Sequence, residues 1–201
     1  MICGAGAAVA RCCRAGWTWL RRCLAVLVLL LPAAVGTLRA ADASSLQEHE
    51  LKALYLFNFT KYVEWPEPAG TGTNGFLVGV VGAPEVEASL IEATRGKDVG
   101  GKPVVVRRFE PGADLTGCRM VYVGLTDRGQ ADRVLEELRD RSVLTVGEGE
   151  VFLDRGGMIG FVRKDKKIRL FVGLETARRS GLRISAKLLA VAEGVRDGKS
   201  R

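Results

Sequence analysis

The chain has 201 residues, 30 basic and 23 acidic, with one histidine and five cysteines, giving a formal charge of +7 and a pI near 9.4. At 47% hydrophobic and 26% charged it is too apolar for a disordered chain and too charged for a multi-span membrane protein, and its length allows one domain with a tail. A basic balance would ordinarily point to nucleic acid or anionic lipid, but residues 1–40 hold five arginines and no acid, leaving 25 basic against 23 acidic residues and a net of +2.

In chain order, Arg11, Arg14, Arg21 and Arg22 precede a 13-residue apolar run, Cys23–Val35, and small residues follow at Ala40-Ala41. This is the pattern of a cleaved secretory signal peptide. Cleavage is expected after Ala40, with Gly36 as the second choice. The run would reach about 20 Å as a helix, short of the roughly 30 Å hydrocarbon core a membrane anchor must cross. Cys3, Cys12, Cys13 and Cys23 leave with the leader, so Cys118 has no partner for an intramolecular bridge. It reads as a small buried hydrophobe, with a reactive or intermolecular thiol as the alternative.

Ser45 with Glu48 has capping-box spacing and predicts a first helix from about Ser44–Ser45 to Tyr62, ending before Trp65-Pro66. Leu51, Leu54, Tyr55, Phe59 and Tyr62 form one wide apolar arc, extended by Leu56 and Val63. Asn58 lies in that arc, so its amide is expected to hydrogen-bond to the backbone of an adjoining segment. Gly70–Gly75 reads as a loop and Phe76–Val81 as a strand covered on both faces. Pro84 opens a helix that fades at Arg95-Gly96. Strands follow at Lys102–Arg108 and Met120–Gly124, then a helix capped by Thr126 or Asp127 to about Asp140, and a strand at Ser142–Val146. Met158–Val162 and Ile168–Val172 read as a hairpin with a five-residue connection, Arg163–Lys167. Leu174–Arg179 and Ser185–Glu193 are terminal helices, with Ser185 as a cap. The fold class is therefore α/β: a single domain with a mixed, mostly parallel sheet flanked by helices and a C-terminal β-hairpin.

No spacing assembles a catalytic group. His49 sits among Gln47, Glu48 and Glu50 and reads as a solvated surface residue. One histidine and one mature cysteine supply neither a zinc spacing nor a nucleophile–base pair. No metal and no cofactor are expected. Gly79-Val-Val-Gly82 resembles a phosphate-cradling turn only faintly, lacks the third glycine, and reads as a plain strand-to-helix turn. The basic hairpin tip, Arg163, Lys164, Lys166, Lys167 and Arg169, reads as a solvated turn, or alternatively as an anion contact. Trp65, just past a helix end, either plugs the core or sits in an interface. Met158 and Gly160 alternate with Ile159 and Phe161; the stretch reads as core packing, with the alternative that on an edge hairpin one set stays uncovered and is left for a partner.

Taken together, Leu51–Pro66, Gly79–Gly82, Cys118–Val123, Ser142–Gly147, Arg155–Val162 and Leu182–Ala190 resemble, in this order, the YfiR-like (HmsC-like) periplasmic proteins over about residues 46–193. The resemblance implies a non-enzymatic repressor that binds the periplasmic domain of an inner-membrane diguanylate cyclase and holds down cyclic-di-GMP synthesis. It implies partner contacts around the hairpin at Met158, Ile159, Phe161 and Phe171, to which Trp65 is added. Some members couple redox state to folding through further cysteines. The positions around Leu153 and Ile159 are not cysteines here, which speaks against such a switch. The expected organisation is a signal peptide over 1–40, the domain over 46–193 and a flexible tail over 194–201. The expected partner is that cyclase, with a homodimer also compatible, no nucleic acid, and the membrane reached only indirectly. The alternative reading is a periplasmic small-ligand sensor with a pocket near Gly82 and a different membrane partner.

Overall fold

The structure, a computed structural model, describes residues 35–66 and 75–197, with side chains from residue 47 onward. Most of the expected leader (residues 1–34) and most of the Gly70–Gly75 loop therefore lie outside the described residues. The chain divides into two compact units between Ser45 and Leu46, and the second carries the sheets and the helices that cover them.

Helix α1 spans Val35–Tyr62. It is rich in Leu and Ala and has no proline before Pro66, so nothing interrupts it. The helix starts earlier than expected: Ser45 lies inside it, and the Ser45–Glu48 spacing is not its cap. Its end leads into β1 (Val63–Glu64), which pairs antiparallel with β9 (Arg183–Ile184) in a small two-stranded sheet that has no signal in the sequence.

The main sheet has eight strands. In chain order these are β2 (Phe76–Val81), β3 (Asp98–Val99), β4 (Lys102–Phe109), β5 (Met120–Val123), β6 (Leu144–Glu148), β7 (Ile159–Lys164), β8 (Lys167–Gly173) and β10 (Gly194–Arg196). Their spatial order is β10-β8-β7-β6-β5-β2-β4-β3. The five inner strands, β4-β2-β5-β6-β7, are all parallel, with the strand order of a doubly wound α/β sheet. Antiparallel β3 and β8 flank them, and β10 runs parallel to β8. The α/β class with a mixed, mostly parallel sheet and a hairpin near the carboxyl end is thus the observed architecture. Residues 194–196, expected to begin a flexible tail, instead form the outermost strand, because Gly194–Arg196 find open backbone partners on Phe171–Gly173.

Helices cover both faces. On one face α1 and α2 (Pro84–Thr94) bury Ala53, Leu56, Phe59, Val86 and Leu90 over Val80, Tyr122, Val146 and Phe161. On the other, α3 (Arg128–Glu137) and α4 (Glu150–Asp154) bury Val134, Leu135 and Phe152 over Val121 and Val123. Each fully buried Leu or Phe contributes about 1.5–3 kcal/mol. The cap of α3 is Asp127, whose Oδ1 accepts from the Gln130 amide at 3.0 Å. The helix ends at Glu137 rather than Asp140, and β6 starts at Leu144 rather than Ser142. Helix α4 is one turn long, too short for a periodic pattern to announce it. It is held by Phe152, whose ring rests on Gly157, where an added Cβ would lie 2.2 Å away.

The hairpin is tighter than expected. Lys164 pairs with Lys167, leaving a two-residue turn at Asp165-Lys166, both with positive φ, 51° and 60°. Such a turn normally advertises itself as Asn-Gly; without that signal the connection reads longer. Helices α5 (Leu174–Arg179) and α6 (Ala186–Val191) close the chain, and the Ser185 hydroxyl accepts from the Leu188 amide at 3.4 Å.

Candidate partner-binding surface

The apolar arc of α1 is wider than the sheet can cover. The inward stripe is Ala53, Leu56 and Phe59, together with Lys52 and Thr60, and buried Val63 of β1 continues it. The other edge of the arc points outward: Leu51 is 39% exposed, Leu54 48% and Tyr62 36%. Asn58, expected to be buried against neighbouring backbone, lies on this outer side, and its Oδ1 accepts from Lys61 Nζ at 3.3 Å on the same helix. Beside the stripe, α1 and α6 enclose a groove of about 320 Å³. Tyr55, Asn58, Phe59 and Tyr62 line it from α1, Leu170 from β8, and Lys187, Leu188 and Val191 from α6. Val191, at 67%, is the most exposed of the large hydrophobics described.

A polar network fixes α1 in place. Lys52 is buried, and its Nζ lies 2.8 Å from Glu48 Oε1 and 2.8 Å from Glu148 Oε1 at the end of β6. Tyr122 of β5 donates its hydroxyl to the same Glu148 oxygen, and Arg163 of β7 reaches Glu48 Oε2 at 3.1 Å. One network thus joins the helix to three strands. The hydrogen bond from Lys52 and the neighbouring positive charges hold the Glu48 carboxyl below its ordinary 4.5, against the effect of burial. Burial pulls Lys52 down, but its hydrogen bonds to Glu148 and Glu48 outweigh it and the ammonium sits above its ordinary 10.5. Burial, reinforced by the Glu148 charge, pushes the Tyr122 phenol far up, so it is a proton donor at every working pH. The Glu48–Lys52 spacing is visible in the sequence; that the pair is buried against strand ends is not. His49, read as solvated, is half-buried, and its Nδ1 has no hydrogen-bond partner among the described residues.

The candidate contact residues of the sequence are dispersed. Met158, Ile159 and Phe161 are all buried, at 2%, 0% and 2%. This is the core packing expected of them, and the alternative of an uncovered hairpin face is not what the structure has: Phe161 packs on Tyr55, Phe59 and Tyr122 at ring distances of 5.9, 6.0 and 6.3 Å. The opposite face is closed by α4, since a Cβ on Gly160 would lie 2.7 Å from the Gly149 carbonyl. Helices cover both sides because β7 ends the parallel run instead of forming an edge. Phe171 is half-buried. Trp65 is half-buried too, edge-on to Phe76 at 5.1 Å, and its Nε1 donates to the Arg119 carbonyl at 2.8 Å. It serves the core. Cys118 is buried, and desolvation pushes its thiol up to about 11.

Near Gly82, where a doubly wound sheet would seat a ligand, Leu125 packs close against the turn. Gly82 has φ +75°, and a Cβ there would sit 2.5 Å from Leu125, while the Gly124 amide donates to the Val81 carbonyl at 2.8 Å. A larger cavity, about 480 Å³, lies on the other face under the carboxyl ends of α3, α4 and α5, lined by Leu138, Arg139, Thr145, Arg155, Met158 and Arg179 among others. Among the described residues no group of three metal-ligating side chains comes together, and no helix is long and apolar enough to cross a membrane.

Among solved structures the chain is similar to the ABC domain in complex with L-Trp from Streptococcus pneumonia, at 11% identity and a TM-score of 0.46. That match covers 61% of this chain, which spans 55% of the other's length. The YfiR/HmsC-like family model matches residues 49–193, from the network on α1 to the last residue before β10. The chain belongs to the YfiR/HmsC-like family.

Proposed function

We propose that the protein is a non-enzymatic periplasmic regulator, exported by a cleaved leader, that binds the periplasmic domain of an inner-membrane diguanylate cyclase and represses cyclic-di-GMP synthesis. Family membership supports the compartment and the kind of partner. The observation that carries the reading is the α1–α6 groove with its apolar stripe, anchored by the Lys52 network. A rigid apolar groove of that size seats one or two anchor side chains of a protein partner. Repression follows when the regulator binds the inactive conformation of the cyclase more tightly than the active one. Phe161 supports Tyr55 and Phe59 from beneath and shapes the groove without being touched. Phe171 and Trp65 keep exposed surface and are available to a partner.

Co-purification from membranes of the native host tests this. The tagged protein should retain a membrane-spanning cyclase, and Val191→Asp, which alters an exposed groove residue, should lose it at unchanged melting temperature. Recovery of no membrane signalling receptor would sink the reading. A second reading, a small-ligand sensor, is favoured only by the 480 Å³ cavity. A metabolite that raises the melting temperature of the wild type, and not of Arg179→Ala, would support it.

A further inference from the structure

We propose that the tip of the β7–β8 hairpin, residues 163–169, is a contact site for a membrane surface rich in anionic phospholipid. Arg163, Lys164, Lys166, Lys167 and Arg169 crowd into this short stretch with Asp165 as its one acid, a net of +4. Residues 41–201 as a whole sum to +2, so the remainder of them sums to −2. The charge sits on a projecting ribbon. Strand β6 accompanies β7 only as far as Phe161, and β10 meets β8 only from Phe171 onward. From Phe161 to Lys164 the hairpin advances about 10 Å with no third strand beside it. Residues 163–167 are all exposed.

The tip is built against its own stability. Lys164 and Lys167 are direct cross-strand partners, an opposition of like charges that weakens a hairpin. Asp165 and Lys166 hold φ of 51° and 60°, where Asn-Gly would sit with less strain. Charges that only guard an open strand edge require neither arrangement. Part of the charge is answered within the chain: Arg163 reaches Glu48, and Lys164 and Arg169 reach Glu193 at 3.1 and 3.4 Å. Among the described residues Lys166 and Lys167, at the apex, make no ion pair.

The form of the charge selects the partner. Strand alternation puts Lys164, Lys167 and Arg169 on one face of the ribbon and Arg163 on the other, with Lys166 in the turn. A convex tip charged on both faces and at its apex fits a plane of phosphates better than a single phosphate or one acidic protein face. Flexible ammonium groups, point charges without a bidentate fork, suit loosely placed headgroups. Such a contact is direct, where the expected route to the membrane was indirect. Leu170 lines the α1–α6 groove and lies three residues, about 10 Å, from Lys167 on the same strand, so a seated tip holds the groove near the bilayer that carries the cyclase. That consequence alone rests on the proposed function; the lipid contact does not.

The test is co-sedimentation with phospholipid vesicles, using the protein expressed full length and purified as the host processes it. Wild type should bind vesicles of phosphatidylglycerol and phosphatidylcholine in equal parts at low salt, ignore pure phosphatidylcholine, and release as salt rises. Lys166→Gln and Lys167→Gln should each weaken binding roughly fivefold, and the double variant roughly thirtyfold, the effect of one and two basic residues at an anionic surface. The melting temperature of the double variant should stay level or rise, because the opposition to Lys164 is relieved. Lys166→Arg/Lys167→Arg should bind as wild type does. Residues 1–40, retained or removed, are the same in every variant, so the differences belong to the tip. Absence of binding to the anionic vesicles overturns the proposal, as does equal binding to phosphatidylcholine or binding indifferent to the double Gln variant. Displacement by inorganic phosphate, but not by chloride at equal ionic strength, would mark a discrete anion site and overturn it too. Loss of cyclase co-purification in the double Gln variant, without vesicle binding by wild type, would assign the tip to an acidic protein surface instead. The vesicle measurements do not involve the cyclase, so failure there leaves the co-purification result to stand or fall separately.

Discussion

Helix α1 is apolar on two neighbouring sides, and the two have opposite fates. Ala53, Leu56 and Phe59 vanish against the sheet, whereas Leu51, Leu54 and Tyr62, one step around the same helix, remain in water. The inner side is held by the core and by Lys52, whose charge pairs with Glu148 at the end of β6. Among the described residues, the outer side meets its own chain only along the groove with α6. Apolarity alone therefore does not distinguish folding from binding. The inner stripe contributes to the stability of the fold, and the outer stripe leaves apolar surface uncovered.

The largest test of this contrast is Phe59→Ala. The ring is 1% exposed and stacks with Phe161, so its loss should cost about 3–5 kcal/mol in denaturant unfolding. A cost under about 1 kcal/mol would show the inner side to be no more essential than the outer. Next is Lys52→Met, which keeps the apolar stem and removes the charge. Because Glu148 and Glu48 retain 44% and 24% exposure, water screens part of what is lost, and about 1–3 kcal/mol is expected.

The same network predicts a pH window. Glu48 is depressed by Lys52, so its contribution is present above 4.5 and is lost as pH falls through its lower folded value. Lys52 is raised, so its contribution is present below 10.5 and is lost as pH climbs past its higher folded value. Stability curves of wild type and Lys52→Met should therefore converge toward both extremes and differ most between them; a constant offset at all pH values would refute the linkage. The smallest effect on stability is expected from Leu54→Glu, within about 0.5 kcal/mol. If that substitution instead unfolded the protein, the outer stripe would belong to the core and the contrast would collapse.

Much of the fold is legible in the sequence where local physics dominates. Phe76–Val81 forms a strand with the predicted limits because six consecutive apolar residues after a glycine-rich loop have few other uses. Pro84 and Asp127 start their helices as proline and aspartate do elsewhere. The features that escape the sequence depend on distant partners. The two-residue strands β1, β3 and β9 exist only through their pairing, and β10 only because β8 offers an open edge. The Asp165-Lys166 turn carries positive φ without glycine because the flanking strands impose it. Both faces of β7 are buried because α4, invisible to any periodicity, closes one of them.

The sequence by itself determined the longer helices and strands, their order, the α/β class and, through six ordered stretches, the family. These follow from apolar spacing, capping and turn chemistry, all of them interactions within a few residues. Only the tertiary structure decided which side of α1 is core, that Lys52 is buried between two carboxylates, and that Met158, Ile159 and Phe161 lie beneath the surface. The physical reason is that a helical arc specifies a range of directions, while burial depends on where a sheet built from residues far along the chain comes to lie.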